Sequence, residues 1–316
     1  MDRSPIKQLV GRLAPSPTGV LHLGNARSFL LAWLSVRSRQ GVLRLRIEDI
    51  DGPRVKAGAE QQAIQDLMWL GLDHDGDAFR QSDRLRHYRE AVDSLVQSGR
   101  AYPCVCTRQE VEAAASAPQE DWLDAPPYPG TCRDRFASVA AAREQTGRNP
   151  AIRFRVEVDA VPFEDIFRGP QSGPILGDFV IERRERGAAY QLAVVVDDAA
   201  DTITEVLRGD DLLPSTPRQL LLYDALGLTP PRFAHVPLVV GEDGLRLAKR
   251  HGDSSLRHIR ERGVGGEEVL GYLAYLCGFR PKGSRCLAAD LLRDFDLSKL
   301  EPAPAVGTDH GFPLDC

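Results

Sequence analysis

Three groups of residues in this chain have the types and spacing that chemistry needs. The first runs Arg12-Leu13-Ala14-Pro15-Ser16-Pro17-Thr18-Gly19-Val20-Leu21-His22-Leu23-Gly24-Asn25. Two prolines stiffen this loop, Gly19 and Gly24 let backbone approach a bulky ligand, and His22 offers a donor. Where a strand passes into a helix, amides at the helix N-terminus face an anion, so the loop suits a nucleotide phosphate. A bare His-x-Gly would signal only a tight turn; fourteen residues in this order say more. The second group is Leu245-Arg246-Leu247-Ala248-Lys249-Arg250-His251-Gly252, a basic loop suited to polyphosphate charge that grows in a transition state. Read alone it would be a solvated surface. The third is Cys104-Val105-Cys106 with Tyr128-Pro129-Gly130-Thr131-Cys132. Three thiolates and one further ligand make a closed tetrahedral zinc site; three reduced, unliganded cysteines are the alternative.

These groups need a scaffold. Gln8–Ala14 reads as a short buried strand ended by Pro15 and Pro17. Gly24–Gln40 places Ala26, Phe29, Leu30 and Trp33 on one helical face, and Val42–Ile47 is a strand. Strand, helix, strand in so short a span is a βαβ unit, so a parallel sheet is expected. Ala57–Leu70 and Asp83–Gln97 continue as helices. From Ala101 the character changes: residues 104–150 are rich in Ala, Pro, Cys and Arg without a long period. Ala151–Val158 then alternates as a half-exposed strand, with Val161–Phe167 as its expected hairpin partner. Tyr190–Val196 is an almost continuous apolar run, expected to be a buried parallel strand. Thr202–Leu207 and Phe233–Val240 are further strands, Thr216–Leu226 and Glu267–Cys277 helices, and Glu301–Cys316 is expected to be loosely ordered. The fold class expected is α/β, a Rossmann-type parallel sheet. The expected domains are a discontinuous core (1–103 and 187–240), an α+β insertion (104–186), and the basic loop with a small helical subdomain (241–316).

Bulk properties narrow the classes. At 316 residues and 42% hydrophobic, the chain can bury a large core. A net charge of −5 provides no global field for nucleic acid, which argues against a nonspecific binder but leaves room for a local basic face. Arginines do cluster, at 133, 135, 143, 148, 153 and 155, at 183, 184 and 186, and, with Lys249, at 250, 257, 260 and 262. Six cysteines in a chain this long do not form a disulfide framework, and Cys277, Cys286 and Cys316 are too scattered to suggest a role. No run approaches the ~18 apolar residues of a membrane helix, and Met1–Gln8 lacks the apolar core of a signal peptide, so a cytoplasmic location is expected.

Pro15–Asn25 resembles the HIGH motif of class I aminoacyl-tRNA synthetases, and Arg246–Arg250 resembles their KMSKS loop. The strings from Arg12 to Gly19, Arg46-Ile47-Glu48-Asp49-Ile50-Asp51 and Leu207-Arg208-Gly209-Asp210-Asp211-Leu212-Leu213 are similar to the glutamyl branch. The likeness spans roughly residues 8–255. Asn25 stands for the second histidine of the motif, Arg246 for the first lysine and Ala248 for the serine, while the phosphate-facing Lys249 is kept. The resemblance implies ATP contacts from Pro15, His22, Gly24, Asn25 and Lys249, with His22 and Lys249 catalytic and Mg²⁺ accompanying ATP. It implies a glutamate pocket of Arg12, Ser16, Glu48, Tyr190 and Arg208: guanidiniums for carboxylate, Glu48 for the ammonium group. Read without the resemblance, Glu48 could equally join Asp49, Asp51 and Arg54 in a surface network. The Cys-x-Cys…Tyr-x-x-x-Cys pattern resembles that of short glutamyl-synthetase paralogues. This implies one structural Zn²⁺ on Cys104, Cys106, Tyr128 and Cys132, with Asp121, Asp124 or water as other candidates for the fourth ligand.

Only residues 251–316 follow Arg250, room for a small helical subdomain rather than a large anticodon reader. The match is therefore closest to the short paralogues that act on queuosine. These are expected to activate glutamate with ATP in the absence of tRNA, then pass it to queuosine in the anticodon of tRNA(Asp), as monomers. Arginines of the insertion become candidates for RNA phosphates. A synthetase that charges a tRNA 3′ end without its anticodon domain, and a non-catalytic zinc-bearing RNA-binding module, are the rival readings.

Overall fold

A computed structural model describes residues 8–50, 52–114, 127–185, 187–241, 244 and 254–307. The basic loop with Arg246, Ala248, Lys249 and Arg250 lies outside the described residues, as do Asp51, Asp121, Asp124, Arg186 and Cys316.

The chain opens with the expected βαβ unit, β1 (Val10–Leu13), α1 (Leu23–Arg37) and β2 (Val42–Ile47). β1 and β2 pair in parallel from Val10↔Val42 to Leu13↔Leu45. After α2 (Ala59–Trp69), β3 (Phe79–Arg80) extends this ladder in parallel, and α3 (Leu85–Gln97) follows. α1 is apolar around much of its circumference because both sides are covered. Leu30, Leu31 and Leu34 are buried in one core cluster with Leu43 and Leu45 of the sheet, and with Val269, Leu270 and Leu273 near the C-terminus.

The middle of the chain gives β4 (Ala101–Cys104), α4 (Arg108–Ala114), α5 (Val139–Thr146), β5 (Ala151–Phe154), β6 (Ala160–Asp165), β7 (Gly169–Pro174), β8 (Phe179–Arg183) and β9 (Gly187–Ala188). These strands divide. β4-β5-β8-β9 form an antiparallel sheet, whereas β6 pairs antiparallel with β7 and touches β11 (Arg232–Val236) in parallel. The expected hairpin between 151–158 and 161–167 is therefore not formed. Each run takes the partner that covers its own apolar face: Ile152 and Phe154 pack with Phe179 and Ile181.

Tyr190–Val196 is not a strand but the start of α6 (Tyr190–Ala200). Periodicity cannot separate a short buried strand from a buried helix. The run extends through Asp197 and Asp198, too long for a typical strand, and the helix is buried on several sides: Leu192, Ala193 and Val195 share a core with Val92 and Leu95 of α3 and Leu222 and Tyr223. β10 (Glu205–Gly209), α7 (Thr216–Ala225) and β11 restore the parallel sheet, with β10 and β11 in register from Glu205↔Arg232 to Gly209↔Val236. β10 lies beside β1, where the Thr204 amide donates to the Val10 carbonyl (2.8 Å). β12 (Val239–Val240), α8 (Leu256–Glu261), α9 (Gly266–Leu276) and β13 (Ala305–Val306) complete the described chain. The tail is more ordered than expected as far as residue 307, because β13 pairs in parallel with β12; 308–316 lie outside the described residues. Among the described residues no helix is long and apolar enough to cross a membrane.

Candidate active site

β1 lies between β2 and β10, so the connections leave its C-terminal end in opposite directions and open a crevice there. A cleft of about 440 Å³ occupies this crevice. Arg12, Pro15, Ser16, His22, Gly24, Asn25, Glu48, Tyr190 and Arg208 all line it. Arg12 comes from β1, Glu48 from the residue after β2, Tyr190 from the first turn of α6 and Arg208 from β10. Strand ends and helix starts from four separate stretches thus converge on one volume.

One end of the cleft is built by the start of α1. His22 is its N-cap, and Asn25 Oδ1 accepts from the His22 backbone amide (3.4 Å). Asn25 therefore caps the helix as well as lining the cleft. Gly24 is small for a reason internal to the chain: a Cβ there would stand 3.1 Å from the His22 ring. Gly19 faces open space. Leu21–Leu23 pair with the segment that follows the basic loop. The Leu256 amide donates to Leu21 O (2.8 Å), the Leu23 amide to Ser254 O (3.1 Å), and His22 bridges Ser255. The first described residues after that loop are thus stitched to the stretch around His22.

The other end is a buried network of alternating charge. Arg12 Nε donates to Asp198 Oδ1 at 3.3 Å, Arg46 bonds the same oxygen, and Arg46 Nη2 reaches Glu48 Oε1 at 3.0 Å. Ser16 Oγ donates to Glu48 Oε2 (3.4 Å). Glu48 is 8% exposed, so it belongs to this network and not to a surface cluster with Asp49, whose carboxylate binds Ser82 instead. Burial alone would lower the Arg46 pKa, but Asp198, Glu48 and Asp197 overcome it and hold the guanidinium firmly charged. Burial lowers Arg208, and nearby Arg12 lowers it further, so Arg208 gains from any anion that enters. Desolvation, then the charge of Glu48, raises the Tyr190 phenol, which stays neutral. Arg12 and Arg208 line the cleft together with the carboxylates Glu48 and Asp211, and the Arg46–Asp198 pair lies behind them, so the cleft offers a ligand partners of both signs.

Sequence reasoning missed Asp198 and gave Arg46 no role. The available signal was the Asp197-Asp198 pair at the end of an apolar run, which read as a strand points nowhere and read as a helix points inward. It also missed Asp165, Thr216, Gln219 and His235, all buried behind Arg208.

The cysteine group forms a second centre in its own apolar cluster with Val105, Val111 and Phe136. Ligand atoms of Cys104, Cys106 and Cys132 lie within 4.8 Å of one another and could hold a metal ion. Tyr128 Oη sits among them, 3.3 Å from Cys104 Sγ and 3.5 Å from Cys106 Sγ, and accepts from the Cys132 amide at 2.8 Å. Three sulfurs and one oxygen converging from two chain segments fit a tetrahedral ion. The Arg153 guanidinium lies 3.8 Å over the Tyr128 ring and donates to Cys104 Sγ (3.3 Å).

Most arginines of the middle segment are engaged within the protein. Arg133 bonds the Val156 carbonyl, Arg148 pairs with Glu110, Arg155 with Asp134, Arg183 holds the Ile50 and Ala188 carbonyls, and Arg184 holds that of Val105. Their clustering thus reflects internal bonding at least as much as a surface for RNA.

The family model for class I tRNA synthetases (E and Q), catalytic domain, matches residues 8–302. The chain belongs to this family. A Glutamyl-Q tRNA(Asp) synthetase of Symbiobacterium thermophilum is 47% identical over 306 residues, covering 94% of this chain and 95% of that protein. Its counterpart in Rhodopirellula baltica is also 47% identical, covering 97% and 98%. A glutamate–tRNA ligase of Aquifex aeolicus is 43% identical, over 93% of this chain but 63% of its own length. Among solved structures, a glutamate tRNA ligase of Elizabethkingia meningosepticum in complex with its amino acid superposes with a TM-score of 0.80 at 28% identity, covering 95% of this chain and 67% of that one.

Proposed function

We propose that the chain activates L-glutamate with ATP in the absence of tRNA and then transfers it to queuosine in the anticodon of tRNA(Asp). The observation that supports the amino-acid assignment is a cleft lined by two guanidiniums, Arg12 and Arg208, beside the carboxylate of Glu48. Glutamate brings two carboxylates and one ammonium group, the complementary set. Arg12 and Arg208 hold carboxylate, Glu48 takes the ammonium group with acceptor capacity left after Arg46 and Ser16, and Tyr190 closes the pocket. The acceptor assignment is supported by relatives named Glutamyl-Q tRNA(Asp) synthetase at 46–47% identity over 87–98% of their lengths.

In the first step an oxygen of the glutamate α-carboxylate attacks the α-phosphorus of ATP and pyrophosphate leaves. In the second, a hydroxyl of the queuosine cyclopentene ring attacks the acyl carbon, AMP leaves, and the hydroxyl proton departs with it or to solvent. Catalysis is positioning plus charge stabilisation. His22 and the N-terminus of α1 face the phosphates, with Pro15, Gly24 and Asn25 shaping the loop around the nucleotide. Lys249 precedes Ser254 by five residues, a reach of at most about 18 Å from a point stitched to His22. Mg²⁺ accompanying ATP would supply charge neutralisation for the leaving pyrophosphate. Zn²⁺ on Cys104, Cys106, Cys132 and Tyr128 would tie the two segments of the insertion together and has no part in the chemistry. The enzyme acts as a monomer.

Glutamate-dependent ATP–pyrophosphate exchange without tRNA tests the first step, and labelled glutamate the second. Label should enter tRNA(Asp) that carries queuosine, and neither tRNA(Asp) lacking it nor the 3′ end of tRNA(Glu). Efficient charging of tRNA(Glu) would overturn the acceptor assignment; no exchange at all would leave a non-catalytic RNA-binding module. Lys249→Ala should cut exchange by about 100-fold or more, the scale of one lost transition-state donor.

A further inference from the structure

Behind Arg208 lies a buried relay that the two-step reaction above does not use. Asp165 on β6 is buried, and its Oδ1 accepts three backbone amides, Phe167 (3.0 Å), Arg168 (2.9 Å) and His235 (3.2 Å). Its Oδ2 stands 2.6 Å from His235 Nδ1 on β11. On the far side of the imidazole, Arg208 Nε donates to His235 Nε2 at 2.9 Å. A guanidinium has donors only, so Nε2 must carry a lone pair, and the Asp165 carboxylate then fixes the proton on Nδ1. Arg208 Nη2 is taken as well, by Thr216 Oγ1 and Gln219 Oε1, both at 2.9 Å. This leaves Nη1 as the guanidinium nitrogen without a hydrogen-bond partner among the described residues, on a side chain that lines the cleft.

We infer that His235, oriented by Asp165, is a positioning residue that locks the Arg208 guanidinium with Nη1 offered to the substrate carboxylate, and so sets affinity for the amino acid. The inference rests on the reading of Arg208 as a carboxylate partner. Its physical content is pre-organisation. Without an acceptor at Nε, a buried N–H is unsatisfied and the guanidinium can rotate to find another, turning Nη1 away. The relay also keeps the imidazole neutral. A second proton would set Nε2–H against Nε–H across 2.9 Å, in a site whose charged neighbours are Asp165 on β6, Arg208 on β10 and Asp210 just after β10.

Two substitutions separate the halves of the relay. In His235→Asn the amide nitrogen can stand in for Nδ1 and keep Asp165, but nothing reaches Arg208. In His235→Gln the amide oxygen can stand in for Nε2 and accept from Arg208 Nε. In tRNA-free exchange by the full chain, His235→Asn should raise KM for glutamate about tenfold, the scale of one charge-assisted hydrogen bond, with KM for ATP within about twofold. His235→Gln should recover to within about threefold. Arg208→Gln is the reference: it should raise KM for glutamate at least as much, and His235→Asn added to it should raise KM little further. If Arg208→Gln leaves glutamate affinity unchanged, the substrate reading of Arg208 fails and this inference with it. If Arg208→Gln weakens glutamate while His235→Asn does not, or weakens glutamate and ATP alike, positioning by His235 is overturned and the reading of Arg208 stands. Nitrogen-15 histidine NMR of the wild-type protein decides independently of how any variant folds. A neutral ring protonated at Nδ1 supports the relay; protonation at Nε2 overturns it.

Discussion

The cleft and the cysteine cluster both gather polar side chains from distant parts of the chain, by opposite means. In the cleft, Arg12, Arg46, Asp198 and Glu48 alternate in sign, so the charges hold one another in place before any ligand arrives. In the cluster three sulfurs and a phenol oxygen converge, all of them donors toward a cation, with Arg153 donating to Cys104 and the guanidinium of Arg148 near enough to interact with Cys106. The first arrangement is held in place by its own pairing, ready for a ligand with groups of both signs. The second is a set of ligands whose ionised forms repel until a cation joins them. The cleft should accordingly govern catalysis with modest effects on stability, and the cluster should do the reverse.

Removing Arg12 strikes the cleft hardest. Arg12→Ala deletes one of the two guanidiniums proposed to hold carboxylate, and should lower kcat/KM for glutamate in exchange by about 100-fold or more, roughly 2.7 kcal/mol. A loss under tenfold would mean that Arg12 only braces the sheet. Asp198→Asn sharpens the point because it raises the net charge of the cleft while releasing Arg12 and Arg46. If geometry governs, KM for glutamate rises about tenfold, since small misplacements of binding groups are costly. If net charge governs, KM stays level or falls, and the account of the network as a positioning device is wrong.

Much of this was legible in the residues, and the failures have physical causes. The loop from Arg12 to Asn25 and the strand before Glu48 announced their places because prolines, glycines and alternation act locally. All nine expected cleft residues among those described line a single volume. Asp198 was not legible because an apolar run ending in two aspartates looks the same in a strand and in a buried helix until its neighbours are known. His235 sits inside Phe233–Val240, where one polar residue in an apolar strand carries no sign of the carboxylate 70 positions earlier that fixes its tautomer. The pairing of β6 with β7 and β11 was hidden for the same reason: partner choice belongs to the sheet, not to the run. Lys249 carries weight from the sequence alone, lying outside the described residues.

The cluster gives the inverse expectation. Cys106→Ser removes one sulfur, which approaches both Tyr128 Oη and Cys132 Sγ at 3.5 Å. It should abolish the retention of about one zinc per chain measured by elemental analysis, and lower the melting temperature by several degrees as the insertion loosens. Glutamate-dependent exchange at a temperature well below the melt should stay within about threefold of wild type. A loss of exchange above tenfold with an unchanged melt would place the cluster in the active site and collapse the contrast.

The smallest effect should come from the residue beside Asp198. Asp197 is fully buried on the same helix, yet the groups it bonds are not those of the Arg12–Asp198–Arg46–Glu48 network: Tyr88 Oη at 2.9 Å, Gln81 Nε2 at 2.8 Å and Arg84 at 3.5 Å. Desolvation raises its pKa above the ordinary carboxylate value. A carboxyl with a raised folded pKa holds its proton more tightly folded than unfolded, so it costs stability when charged at neutral pH and regains it as pH falls through the folded value. Asp197→Asn removes that cost but gives up its charge near Arg46 and opposite Arg84. Its melting temperature at pH 7 should therefore lie within about two degrees of wild type, and wild type should gain on it as pH falls below neutrality. KM for glutamate should change less than twofold, because nothing that Asp197 holds reaches Arg12, Glu48 or Arg208 by hydrogen bond. A rise matching that of Asp198→Asn would show that the whole helix end, rather than the one carboxylate facing β1 and β2, sets the geometry of the proposed glutamate site.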